Sequence, residues 1–259
     1  MDQIAPAELT AIVLAGSRPG RDPLLQGSGV ANKALLPVAG HPMVTYPVAA
    51  LRDSGVVGRI VVYGDTSDDL TAVLHSVRLS DLRPAQSSIA GTVEHALREF
   101  GGPLLVTTAD HVLLTSAMIR HFVAQAQGCD LAVAMVERRV LRQAGYRSRR
   151  TWLPFRGGKW SGANLFWLSG PVCLSLLHVW SGIEQDRKKG RKLLAAFGPG
   201  NALAAALRLA TIHQLVRRVG RRFGLDARIV PMPQAEACID ADKAEDIALI
   251  ERVLAARKP

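Results

Sequence analysis

The chain lacks any stretch close to the ~20 consecutive apolar residues of a membrane-spanning helix, although hydrophobic residues fill 48% of its 259 positions. Pro, Gly and charged residues interrupt even the densest apolar segment near the middle. The opening residues, MDQIAPAELT, show no basic region followed by an apolar one, so no secretory signal is expected. Cysteine is scarce: Cys129, Cys173 and Cys238 are odd in number and have no C-x-x-C spacing. That rules out a disulfide scaffold and argues against a Cys-based zinc site, leaving three small hydrophobes in a reducing compartment. There is no internal repeat. These absences point to the cytoplasm, with peripheral contact at the inner membrane face as a further expectation.

Acidic residues are missing from two stretches. Positions 138–159 hold eight basic residues and no acidic one, and positions 184–222 hold ten basic and two acidic. The whole chain carries +10, so these stretches carry +16 between them and the remainder carries −6. The basicity therefore belongs to two inserts, a loop at 138–159 and a helical segment at 184–223, within a single domain spanning 1–259. In the second insert Leu203, Leu207, Ile212, Leu215, Val219 and Phe223 recur at helical spacing among Arg208, Arg217, Arg218, Arg221 and Arg222. A basic amphipathic segment over 187–223 suits an anionic membrane; a helical cover with a solvated basic face is the plainer alternative.

The rest of the chain alternates strands and helices. TAIVLA at 10–15, RIVVY at 59–63, PLLVTT at 103–108 and 130–136 read as strands, short and rich in β-branched residues. Helices are expected at 42–53, at 66–78 behind a Thr66 or Ser67 cap, at 92–100 closed by Gly101-Gly102, and at 116–127. After the basic loop come a strand at 160–168 and a helix at 171–180. Basic helices broken at Gly198-Pro199-Gly200 follow, then a strand at 227–230 and a terminal helix at 243–257. This rhythm describes an α/β domain with a mainly parallel sheet, whose ligands bind at the carboxyl ends of strands. Gly16 and Asp110 both sit just past expected strand ends.

The segment IVLAGSRPGRDPLLQGSGVANKALLPVAGHPM leaves a strand at Ala15-Gly16, passes through a Gly-, Arg- and Pro-rich loop, and brings back Lys33. Backbone N–H groups of such a turn can cradle phosphate oxygens, and Arg18, Arg21 and Lys33 add the cations a triphosphate needs. Neither G-x-x-x-x-G-K-[ST] nor G-x-G-x-x-G occurs here, so this is not a Walker A loop or a dinucleotide fingerprint.

Laid out as Ala15-Gly16, Arg18, Lys33-Ala34-Leu35-Leu36-Pro37, Gly40 and Pro42, the segment resembles the signature of a family of nucleotidyltransferases. These share a fold with A-type glycosyltransferases and include the molybdenum-cofactor guanylyltransferases, methylerythritol-phosphate cytidylyltransferases and sugar-phosphate nucleotidyltransferases. LLVTTADHVLLTSAMIRHF resembles the family segment whose aspartate binds Mg²⁺, matching Asp110. SGANLFWL resembles its acceptor-side strand, and CIDADKAEDIALIERVL its closing segment with the second metal ligand, here Asp240 or Asp242. Ser17 replaces the second glycine of the usual pair, and the loop to Lys33 is longer than in commoner members.

The resemblance implies a three-layer α/β/α Rossmann-like domain of the nucleotide-diphospho-sugar transferase fold. It also implies a Mg²⁺-dependent reaction of an NTP with a phosphorylated acceptor, releasing pyrophosphate. Lys33 and Arg18 would hold the phosphates, with Ala15, Gly16, Ser17 and Arg21 completing the nucleotide loop. Backbone groups from Ser87 to Thr92, with Ser88, Gly91 and Thr92 among them, would meet the base. Lys159 and Asn164 would contact the acceptor. A phosphate monoester is already anionic, so no general base is needed, consistent with His111 and His213 being structural or exposed. Trp152, Trp160 and Trp167 read as packing residues. Cytidine is favoured over guanine by analogy with headgroup and polyol activation. The alternatives are a glycosyltransferase of the same fold and a non-catalytic basic module for nucleic acid or membrane; binding of nucleic acid is not expected.

Overall fold

The structure, a computed structural model, describes residues 9–16, 23–148, 150–184 and 198–257. Its frame is one eight-stranded sheet built from β1 (Thr10–Ala15), β2 (Arg59–Gly64), β3 (Leu82–Pro84), β4 (Leu104–Thr108), β5 (Leu131–Glu137), β6 (Leu153–Phe155), β7 (Gly158–Leu168) and β8 (Ala227–Pro231). The strand order is β8-β5-β7-β4-β1-β2-β3, with β6 hairpinned onto β7. Pairings β1·β2, β1·β4, β2·β3 and β5·β8 are parallel; only the contacts of β7 with β4, β5 and β6 are antiparallel. The expected mainly parallel α/β architecture is therefore present.

Alternation along each strand feeds two cores. In β1, Ala11, Val13 and Ala15 enter the core beneath α1 (Thr45–Asp53), α2 (Asp68–Ser76) and α4 (Ser116–Ala126), which also takes Leu249, Ile250 and Val253 of the terminal helix. Ile12 joins the opposite core with Val93, Ala96 and Leu97 of α3 (Ile89–Phe100) and Leu177 of α6 (Leu174–Glu184). Helices thus cover both faces, and the carboxyl ends of all strands but β7 share one edge. The three cysteines are free and buried.

Several boundaries differ from the sequence expectation. The first helix begins at Thr45, not at 42, because Pro42 pairs with Pro37 in a two-stranded hairpin. Helix α3 begins at Ile89, three residues early, because the Ser88 side chain caps it by accepting from Gly91 N. Stretch 138–159 is only partly loop: it contains α5 (Arg138–Gln143), held by buried Leu141, and the start of the β6–β7 hairpin beside buried Trp160, while most of its described basic side chains stay in water. The helix expected at 171–180 opens as a 3₁₀ turn and runs on to Glu184. Edge strand β3 carried no clear alternation and was not anticipated.

In the basic insert the described elements are α7 (Pro199–Ala206) and α8 (Ile212–Arg222); positions 185–197 lie outside the described residues. Thr211 and Gln214 form a reciprocal capping box at the start of α8. Gly220 lets α8 sit tightly against β8, since a Cβ there would lie 2.5 Å from Ala227 Cβ and 2.8 Å from Leu225 O. The last described element is α9 (Ala244–Arg257). Among the described residues no helix is long and apolar enough to cross a membrane.

Candidate active site

Parallel neighbours β1 and β4 end side by side, tied by a hydrogen bond from Ala109 N to Leu14 O (2.9 Å). This brings Gly16 and Asp110 to the same edge. A Cβ on Gly16 would stand 3.3 Å from Ala85 Cβ, so that turn faces the segment leading from β3 into α3. Ser17, Arg18 and Arg21 fall outside the described residues.

Beyond the loop the chain is fastened by Asn32. Its Nδ2 donates to Ala15 O (3.1 Å) and to Asp65 Oδ2 (2.6 Å), while its Oδ1 accepts from Ala34 N (2.8 Å). Asn32 is 1% exposed, and it delivers the next residue to the carboxyl edge. Lys33 Nζ donates to Asp110 Oδ2 (2.9 Å) and Asp242 Oδ1 (3.0 Å), bridging two carboxylates far apart in sequence. Thr108 Oγ1 donates to Asp110 Oδ1, and Ala241 N donates to Asp110 O (3.1 Å), docking the closing segment onto the turn after β4.

The electrostatics follow from this packing. Burial works against the Lys33 ammonium, yet Asp110 and Asp242 outweigh it and hold its pKa above the ordinary value. Burial likewise disfavours the Asp110 carboxylate, but Lys33 and the Thr108 hydroxyl hold its pKa below the ordinary value. Asp240 behaves oppositely: burial, with Asp242 and Asp110 nearby, raises its pKa even though Arg150 opposes the rise. Asp240 is ion-paired with Arg150 and accepts from Asn164 Nδ2 (3.1 Å). Of the two closing aspartates, Asp242 shares the lysine and Asp240 is occupied by an arginine and an amide.

Other expected residues separate into groups. Asn164 reaches Asp240, whereas Lys159 is exposed at the start of β7, paired with Pro154 across the hairpin. Ser88, Gly91 and Thr92 form the capped start of α3. Thr92 is buried, and its hydroxyl accepts from Gln86 N and donates to Ser88 O, so that side chain is spent within the turn. His111 is buried against Thr107 (3.3 Å), and burial pushes its pKa down to about 4. His213 stands edge-on to Trp160, 5.6 Å between ring centres. Trp160 and Trp167 are core residues and Trp152 packs against the core, matching the packing expectation.

Sequence reasoning missed Asn32, Asp65, Thr108 and Arg150. It also missed a cleft of about 420 Å³ at the carboxyl ends of β5 and β8, bounded by Glu137, Arg156, Trp160, Thr211, His213 and Met232. In the sheet β5 lies two strands from β4, roughly 10 Å at the usual spacing. The signals were present only as neighbours: Asn32 directly precedes Lys33, and Thr108 stands two residues before Asp110.

The mostly parallel sheet with helices on both faces is the α/β/α Rossmann-like fold. The chain belongs to the MobA-like NTP transferase domain family, whose model matches residues 11–222. It is similar to the bifunctional protein GlmU of Syntrophotalea carbinolica, 30% identical over 145 residues, covering 54% of this chain and 30% of the relative. The chain thus spans under a third of the length of the curated relatives it matches. A hypothetical transferase from Thermus thermophilus is similar in structure, with TM-score 0.79, 26% identity and coverage of 92% of this chain and 98% of the other. The 4-diphosphocytidyl-2C-methyl-D-erythritol synthase of Anaerococcus prevotii shares the fold at 8% identity, TM-score 0.60, with 95% and 96% covered. Family membership decides between nucleotidyl and glycosyl transfer in favour of the former.

Proposed function

We propose that the chain transfers a nucleoside monophosphate from an NTP to a phosphorylated small molecule or headgroup, releasing pyrophosphate. The observation that carries this reading is the Lys33 ammonium held between Asp110 and Asp242 at the carboxyl edge. A cation already bridges these two carboxylates, so the donor set suits a hard divalent ion. Among the described residues no three His, Cys, Asp or Glu side chains form a cage. Asp110 and Asp242 would therefore hold Mg²⁺ together with phosphate and water oxygens. When bound, the ion supplies charge neutralisation at the α-phosphorus and the leaving pyrophosphate. Asp240, engaged by Arg150 and Asn164, buttresses the closing segment.

In this reading Lys33, with Arg18 from the nucleotide loop, grips the phosphates. Gly16 and its neighbours Ala15, Ser17 and Arg21 line the loop, and the turn at Ser88 to Thr92 meets the base through its backbone. An anionic oxygen of the acceptor attacks the α-phosphorus, the bond to pyrophosphate breaks, and no proton has to be removed. Asn164 lies on the acceptor side, the cleft beside β5 leaves room for the acceptor's body, and exposed Lys159 directly precedes Trp160 of its lining. We favour CTP, with GTP second, acting within one cytoplasmic domain that spans the chain. A pyrophosphate-release screen of the four NTPs against phosphorylated alcohols tests this. Release with one NTP and one acceptor class supports it, and no release with any pair speaks against it.

A further inference from the structure

We propose that α8 and the leucines preceding it form a docking surface for an anionic lipid bilayer. In α8, Gln214, Arg217, Arg218 and Arg221 recur at i, i+3, i+4 and i+7, and all four are exposed. The opposite stripe is committed to the fold: Ile212 and Val216 pack with Met135, Trp160 and Ile229, and Val219 is buried. The close approach at Gly220 fixes which side faces out. Among the described residues no carboxylate pairs with Arg217, Arg218 or Arg221.

The adjoining element is unusual in the other direction. Leu203 is 59% exposed, Leu207 58% and Leu209 61%, three large apolar side chains within seven positions. Leu203 and Leu207 are one helical turn apart, and α7 packs on α8. Exposed Arg208 lies between the last two leucines. A single solvent-facing leucine is ordinary, whereas three within seven positions, beside an arginine stripe with no carboxylate partner among the described residues, mark an interaction surface.

The pairing of the two features selects the partner. A nucleic acid would satisfy the guanidinium groups through its phosphates and leave the leucines in water. A bilayer takes both, with arginines at the lipid phosphates and leucines at the acyl boundary. Thr211 and His213 at the start of α8 border the cleft beside β5, so the docking surface adjoins that cleft. The inference stands whether or not the nucleotidyl-transfer reading holds.

The test is flotation of the full chain with vesicles of phosphatidylcholine alone and of phosphatidylcholine with phosphatidylglycerol at 3:1, at low and high salt. The expected result is binding to the anionic vesicles only, weakened by salt. An arginine near an anionic surface is worth about fivefold in affinity, so Arg217→Glu/Arg218→Glu/Arg221→Glu should lose at least about a hundredfold. Leu203→Ser/Leu207→Ser/Leu209→Ser should abolish the binding that survives high salt. Circular dichroism and thermal melting confirm that both variants fold. No binding to anionic vesicles, or binding that neither triple variant changes, overturns the proposal. Tighter binding to a duplex RNA that the leucine variant leaves intact also overturns it, as does a light-scattering dimer that the leucine variant dissolves.

Discussion

Replacing Asn32 with alanine should detach Lys33 from the end of β1, and the cost can be worked from its contacts. The side chain makes two neutral hydrogen bonds, to Ala15 O and from Ala34 N, and one charge-assisted bond to Asp65. Neutral bonds contribute about 1 kcal/mol each and a bond to a carboxylate about 2 kcal/mol. Asp65 is exposed and keeps its Ser67 partner, so water recovers part of the third contribution. The buried Ala15 carbonyl and Ala34 N–H recover little. The expected loss is about 3 kcal/mol, a fall of roughly 1 M in urea midpoint at unchanged slope for a chain of this size. Nucleotide affinity should fall alongside, because Lys33 loses its anchor. Asn32→Asp should be no better: it keeps the acceptor for Ala34 but sets a second carboxylate against Asp65. A loss under about 0.5 kcal/mol, within the range of an ordinary surface substitution, with full nucleotide binding would refute the anchoring role.

Three further outcomes are expected. Lys33→Met empties the place between Asp110 and Asp242, so Mn²⁺ titrated by electron paramagnetic resonance should bind the nucleotide-free variant more tightly than the parent. Its NTP affinity should drop at least about tenfold through loss of a charge-assisted contact; unchanged Mn²⁺ affinity would show that the lysine does not compete there. Gly220→Ala gains helix propensity but drives a methyl into Ala227 and the Leu225 carbonyl, a net loss of about 2 kcal/mol in thermal or urea unfolding. A neutral or stabilising result would mean that α8 does not sit this close to β8. Burial pushes the Cys129 and Cys238 thiols up to about 11 and raises that of Cys173 as well. Ellman's reagent should therefore find no reactive thiol at pH 8 in the native chain and three after denaturation; rapid native labelling would contradict this.

The strands and most helices were legible because their signals are local: β-branched runs ended by Gly, and apolar residues at helical spacing. Gly16 and Asp110 were legible for the same reason, each following a strand end in a sheet whose strands run parallel. Helix starts were less so. Thr45 and Ile89 are set by a hairpin pairing of Pro42 and by the rotamer of Ser88, neither of which periodicity reports. The basic stretch at 138–159 misled because its charges were read as loop, although Leu141 and Trp160 carry its packing. Lys33 was legible as a cation returning at the end of the Gly-rich loop, while Asn32 did not appear, because its partners Ala15 and Asp65 lie far along the chain. That Asp242 shares Lys33 while Asp240 is engaged elsewhere could not be read from spacing; it depends on Arg150 and Asn164, which reach Asp240 from other elements.

The measurement closest to the central claim is calorimetric titration of CTP and GTP in the presence of Mg²⁺, comparing the parent chain with Asp110→Ala. Thr108, Lys33 and the Ala241 backbone all converge on this residue. The account predicts metal-dependent binding of at least one nucleotide by the parent and loss of that dependence in the variant, with pyrophosphate release lost in parallel. Nucleotide binding and pyrophosphate release that Asp110→Ala leaves unchanged would contradict it.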